Sequence, residues 1–171
     1  VEASRLDEAC GPAFAGAGEA SFQLGDYGSA RRYLERALAL DPGAERAAGL
    51  LETTRRIESG NPLAPRLPSD ERMRRLLAGL DQAARRLDGC LEGPSDVPAS
   101  ERPGLEQLRA EVVSMRGLLD AKGRPRGPGL VQDGAELVFR VEEAASRSCG
   151  EPTGLDLALL LIGRKHGGAG S

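Results

Sequence analysis

The sequence predicts an all-α protein, on three observations. Apolar residues recur at three- and four-residue spacing along most of its 171 residues, which places them on one face of a helix. Ala, Leu, Arg and Glu dominate while β-branched residues are few, a composition that favours helix over strand. Sustained period-2 alternation is absent, and stretches rich in Gly and Pro cut the chain into pieces of helix length.

Residues 14–42 predict a helical hairpin: two apolar-periodic segments meet at Leu24-Gly25-Asp26-Tyr27 and stop at Asp41-Pro42. Gly25 is suited to the left-handed conformation that ends one helix, and Asp26 to capping the next. Small residues at Gly18, Ala30 and Ala37 let the two axes approach closely, and Tyr27, Tyr33, Leu34 and Leu38 supply bulk. Proline at 42 disfavours helix for its predecessor and donates no hydrogen bond. Glu45 to Ile57 reads as a capping helix with Ala47, Ala48, Leu51 and Ile57 on its apolar side.

Residues 59–69 hold three prolines and read as a linker. A helix follows over 70–91, with Met73, Leu76, Leu77, Leu80, Ala83, Ala84, Leu87 and Leu91 in a 3,4-spaced stripe and Ser69 or Asp70 as its cap. After a Gly/Pro/Ser-rich loop at 93–100, Leu105, Leu108, Val112, Met115 and Leu119 form a second seam, expected antiparallel to the first. Residues 122–129 (KGRPRGPG) read as loop, 130–148 as a third helix and 155–164 as an apolar fourth. The expected organisation is a hairpin with its cap over 1–58, a linker over 59–69, a helical unit over 70–166 and a flexible tail over 167–171.

The hairpin resembles the tetratricopeptide repeat family, whose unit is about 34 residues long. Phe14 falls on the first aromatic position, Gly18 on the first small one, and Leu24-Gly25-Asp26-Tyr27 on the inter-helix turn. Ala30, Leu34 and Ala37 fall on the packing positions of the second helix, and Pro42 on the closing proline. Ala17 and Ser21 depart from the pattern, standing where the family has larger residues. The resemblance covers residues 11–44 and implies a right-handed α-α superhelix or bundle that binds partners and does no chemistry of its own. It further implies a concave groove, lined by first helices, that takes an extended or helical partner segment. Glu19, Phe22 and Gln23, with Arg46 and Arg55 on the next helix, are the candidate groove residues.

Cys90 ends one predicted helix of the C-terminal unit and Cys149 ends another, each beside a glycine. If successive helices alternate in direction, these C-termini share one end of the unit, and a disulfide needs Cα atoms within about 7 Å. Two buried free thiols in a reducing cytosol are the alternative. The bridge places the domain outside the cytoplasm, periplasmic or anchored, and its absence leaves it cytoplasmic. Cys10 has no evident partner.

Catalytic patterns are nearly missing. The single histidine, His166, stands at the end of the last helix, where the helix dipole favours a cation. No Cys-x-x-Cys, His-x-x-x-His, Walker or Gly-x-Ser-x-Gly motif occurs, so no metal ligand, cofactor or catalytic residue is assigned. The glycine-rich basic stretch near 123–129 follows no strand, against a phosphate cradle. Glu142-Glu143 reads as a solvated helix face. Arg31-Arg32, Arg55-Arg56, Arg74-Arg75 and Arg85-Arg86, beside Glu35, Glu52, Glu71 and Asp81, read as surface ion pairs. A net charge of −3 argues against a general nucleic-acid binder, and residues 155–162 fall short of the ~20 needed to span a bilayer. Lys122 and Lys165 are the only lysines, an Arg bias that fits a GC-rich, bacterial coding sequence. The chain begins at Val1 without methionine and reads as an excised piece, which leaves an upstream anchor open.

The expected role is a non-catalytic adaptor or scaffold for a protein or peptide partner. Two alternatives stand beside it: a structural module packing against a missing N-terminal region or a second copy, and a small-molecule-binding or enzymatic helical domain.

Overall fold

A computed structural model describes residues 2–93, 97–120 and 129–168, with backbone alone for 2–9, 120 and 168. Among the described residues the protein is all-α, with seven helices: α1 (Glu2–Gln23), α2 (Tyr27–Leu40), α3 (Glu45–Gly60), α4 (Ser69–Glu92), α5 (Arg102–Asp120), α6 (Leu130–Ser148) and α7 (Gly154–Gly168). They fall into two compact units, Val1–Glu58 and Ser59–Ser171.

In the first unit α1 and α2 form the hairpin and α3 packs against it, around a core of Ala30, Leu34, Ala37, Ala47 and Leu51. Gly25 adopts φ +70°, and the Asp26 carboxylate accepts a 3.0 Å hydrogen bond from the Ser29 amide. The turn is thus written in two adjacent residues. Replacing Asp26 by Ala leaves that donor without its side-chain partner and is expected to cost the unit about 1 kcal/mol, read as a lower urea midpoint. The two helices approach closely at Gly18, where an added Cβ would lie 2.7 Å from Leu34 Cγ and 3.2 Å from the Leu34 backbone nitrogen.

Several expectations need correction here. α1 begins well before Phe14 and carries Pro12 inside it. A proline inside a helix removes one i→i−4 hydrogen bond and crowds the carbonyl four residues back, and buried Gly11 beside it lies against Leu40. Tyr33 does not fill the core: it is exposed, with its ring stacked on Phe14 at 6.4 Å. Leu24, on the turn, is 84% exposed.

The second unit packs α4 against α5, α6 and α7, with α6 also covered by α5 and α7. Its buried apolar side chains come from all four helices: Leu76, Leu80, Ala83 and Leu87 of α4, Val112 and Leu119 of α5, Val138 and Val141 of α6, and Leu159 and Ile162 of α7. α5 runs antiparallel to α4, as its ion pairs show: Arg109 reaches Asp88 and Glu92, while Arg116, two turns on, reaches Asp81. α7 can lie close to α6 because Gly163 faces Phe139, whose Cβ would be 2.7 Å from any Cβ added there.

Most of the segment expected as a linker lies between the end of α3 and the start of α4. α3 extends to Gly60, Pro62 is buried, and Arg75 of α4 donates to the Asn61 carbonyl at 3.2 Å. Neither Ser69 nor Asp70 caps α4; Pro68 holds the cap position with no side-chain hydrogen bond, because the helix starts one residue early at Ser69. The expected tail is partly helical, since α7 runs to Gly168. Most of the basic loop at 122–129 and the middle of the loop at 93–100 lie outside the described residues.

Candidate functional site

Two places in the structure concentrate chemistry: the α1–α3 side of the first unit, and a charged cluster beneath the Cys90–Cys149 pair in the second.

On the first unit, Glu19 of α1 and Arg46 of α3 meet in a two-pronged ion pair, with Arg46 Nε donating to Glu19 Oε2 at 3.1 Å. The Glu19 carboxylate holds the Arg46 guanidinium above its ordinary value, through the hydrogen bond first and the charge second. Both side chains remain in contact with water, so the pair sets orientation rather than supplying much stability. It links the first helix of the hairpin to the helix that follows the hairpin. Gln23, one turn beyond Glu19, is exposed. Phe22 is half-buried against the core and stands edge-on to Tyr27, ring centroids 5.5 Å apart. Burial raises the Tyr27 hydroxyl above its ordinary value.

Arg55 is placed elsewhere. Nine residues from Arg46 at about 100° per residue puts it on the opposite side of α3, where it pairs with Glu35 of α2 at 3.1 Å. Glu19 and Arg46 are therefore brought together, with Gln23 one turn beyond Glu19 on α1, and Arg55 is not among them. On the far side of the hairpin, Phe14, Tyr33 and Arg36 form a half-exposed stack, with the Arg36 guanidinium 5.9 Å above the Phe14 ring.

In the second unit, Cys90 and Cys149 lie within bonding distance, S–S 2.00 Å and Cα–Cα 5.3 Å, and tie the C-terminal ends of α4 and α6 together. Cys10 is exposed and unbridged. One turn before Cys90, Arg86 enters the interior. Its Nε lies 3.5 Å from Glu142 Oε2, its Nη1 lies 3.3 Å from Asp156 Oδ2, and its Nη2 donates to the Gly150 carbonyl at 2.8 Å. Gln82 donates to Asp156 at 2.7 Å.

This overturns the reading of Glu142 as a solvated carboxylate: it is fully buried. Burial above all, with the Asp156 charge beside it, pushes its carboxyl up to about 8 despite Arg86. The signal was present in the spacing, since Glu142 stands four residues after Val138 and three before Ala145, on the buried stripe of α6. Arg86 is likewise no surface partner, whereas Glu143 is, pairing with Arg164 at 3.1 Å. His166 stands in the last turn of α7, exposed and stacked on Phe139.

Among the described residues no group of three His, Cys, Asp or Glu side chains is gathered as metal ligands, and no helix is long and apolar enough to cross a membrane. No curated protein matches the chain, and neither does any solved structure. The family model described as tetratricopeptide repeat matches residues 12–44, spanning the second half of α1, the Gly25-Asp26 turn, all of α2 and the Asp41-Pro42 stop. Residues 12–44 are a tetratricopeptide repeat, a unit that in general serves protein–protein interaction and is typically non-catalytic.

Proposed function

We propose that the first unit is an adaptor that docks an extended or helical segment of a protein partner along the side of α1 and α3 carrying Glu19, Gln23 and Arg46. The observation that carries this reading is the tetratricopeptide hairpin at 12–44 followed by a helix that the Glu19–Arg46 pair ties to the hairpin's first helix. Two such helices side by side form the wall of a groove whose exposed groups are polar, some charged and some neutral, and suited to hydrogen bonding a peptide backbone. Phe22 supports the wall from within, and Arg55 acts on the opposite side of α3.

Affinity capture with the tagged chain, followed by titration of the captured partner, tests this. Arg46→Glu and Gln23→Arg are expected to weaken binding at least about tenfold, while Arg55→Glu weakens it less. Equal affinity of all three variants and the wild type contradicts the assignment.

A second reading is favoured by the half-exposed Phe14–Tyr33–Arg36 stack: this edge of the hairpin packs against a further segment or a second copy of the chain. A molecular mass that rises with concentration in light scattering, and no longer does so in Tyr33→Ser, supports self-assembly. The proximity of Cys90 and Cys149 supports an oxidising, extracytoplasmic location for the protein.

A further inference from the structure

Glu142 occupies the middle of α6 with neither carboxyl oxygen receiving a hydrogen bond. The charges acting on it are Arg86 from α4 and Asp156 from the first turn of α7. Of the charged groups of α5, Arg109 pairs with Asp88 and Glu92, Arg116 with Asp81, and Glu111 with Arg140, while Arg102 donates to the Leu91 carbonyl. On α6 and α7, Glu143 pairs with Arg164 and Arg147 at the surface. Two buried carboxylates thus share one guanidinium, and that guanidinium spends its Nη2 on Gly150. With both carboxylates ionised the cluster holds one uncompensated negative charge away from water, a state that binding a proton relieves.

The two carboxylates differ in their freedom to move. Glu142 is anchored mid-helix, whereas Asp156 stands in the opening turn of α7, whose first residue, Gly154, adopts φ +56° after a connection in which Gly150 adopts φ +82°. Repulsion between them is most cheaply relieved by moving Asp156 outward. We propose that Glu142, Arg86 and Asp156 form a proton-operated latch: protonated Glu142 holds the first turns of α7 against α4 and α6, and loss of that proton drives them off.

The sign follows from linkage. Closed, the latch keeps the Glu142 proton until about pH 8; open, Glu142 meets water and ionises in the ordinary carboxylate range. A group raised in the closed state stabilises that state fully below the ordinary range, and the stabilisation is lost as pH rises toward the raised value. Across that window the open form gains about tenfold in population per pH unit.

Amide hydrogen exchange of residues 155–162, measured on the full chain from pH 5 to 8 and corrected for the intrinsic exchange rate, tests this. Protection of α7 is expected to fall by about tenfold per pH unit, with no such slope in Glu142→Gln, which mimics the protonated acid. Protection that does not change with pH in the wild type, or a slope that survives in Glu142→Gln, overturns the latch. Should Glu142→Gln fail to fold, the ¹³C carboxyl resonance of Glu142 in the wild type decides. Titration near 8 accompanied by amide shifts in α7 supports the latch, and titration in the ordinary carboxylate range, or immobile α7 shifts, overturns it.

Discussion

Gly18→Leu is expected to abolish the hairpin, because the space a side chain would need is taken by Leu34. An added Cβ lies 2.7 and 2.8 Å from Leu34 Cγ and Cδ2, and turning that side chain away leaves the Leu34 backbone nitrogen at 3.2 Å. Relief then requires α1 and α2 to separate, which uncovers Leu34, Ala30 and Ala37 together. Even Gly18→Ala is expected to cost about 1–3 kcal/mol, as overpacking does in a filled interior. At Gly16, two residues earlier on the same helix, an added Cβ would meet nothing within 4 Å. Gly16→Ala is therefore expected to stabilise by roughly 0.5–1 kcal/mol, through helix propensity alone. Urea melts of the three variants check the set, and opposite signs at two glycines of one helix distinguish close packing from propensity.

The second large effect is expected from the cysteines of the second unit. A bridge between Cys90 and Cys149 closes 59 residues of chain, and in the loop-entropy picture it contributes about 4 kcal/mol. Reduction, or Cys90→Ser, is expected to lower the unfolding midpoint of the second unit accordingly. Thiol titration of the denatured, unreduced chain is expected to find one thiol, Cys10, of the three cysteines. Three thiols would remove both the stabilisation and the argument for an oxidising compartment.

What can be read in advance divides along physical lines. The turn at Gly25 and Asp26 is legible because its causes are local: one residue tolerates positive φ and its neighbour caps the next helix. The helical stripes of α4 to α6 are legible because periodicity reports which face is buried. The start of α1 is not, since Pro12 and the small residues around it carry no apolar period, and the cap of α4 falls one residue away for want of a distinct signal between Pro68 and Asp70. Glu142 escapes a reading that weighs residue type above position. What makes its burial tolerable, Arg86 and Asp156, lies 56 residues before it and 14 after it in the chain. Arg55, a groove candidate through the family resemblance, stands nine residues from Arg46, and the turn count places the two on opposite sides of α3.

The most direct test of the docking face is a hydrogen-exchange footprint of the full chain with its captured partner bound. Protection gained at residues 19–23 of α1 and 46–53 of α3, and lost again in Arg46→Glu, is the result expected of a groove walled by these two helices. A footprint confined to α4 through α7, with α1 and α3 unchanged, would contradict it.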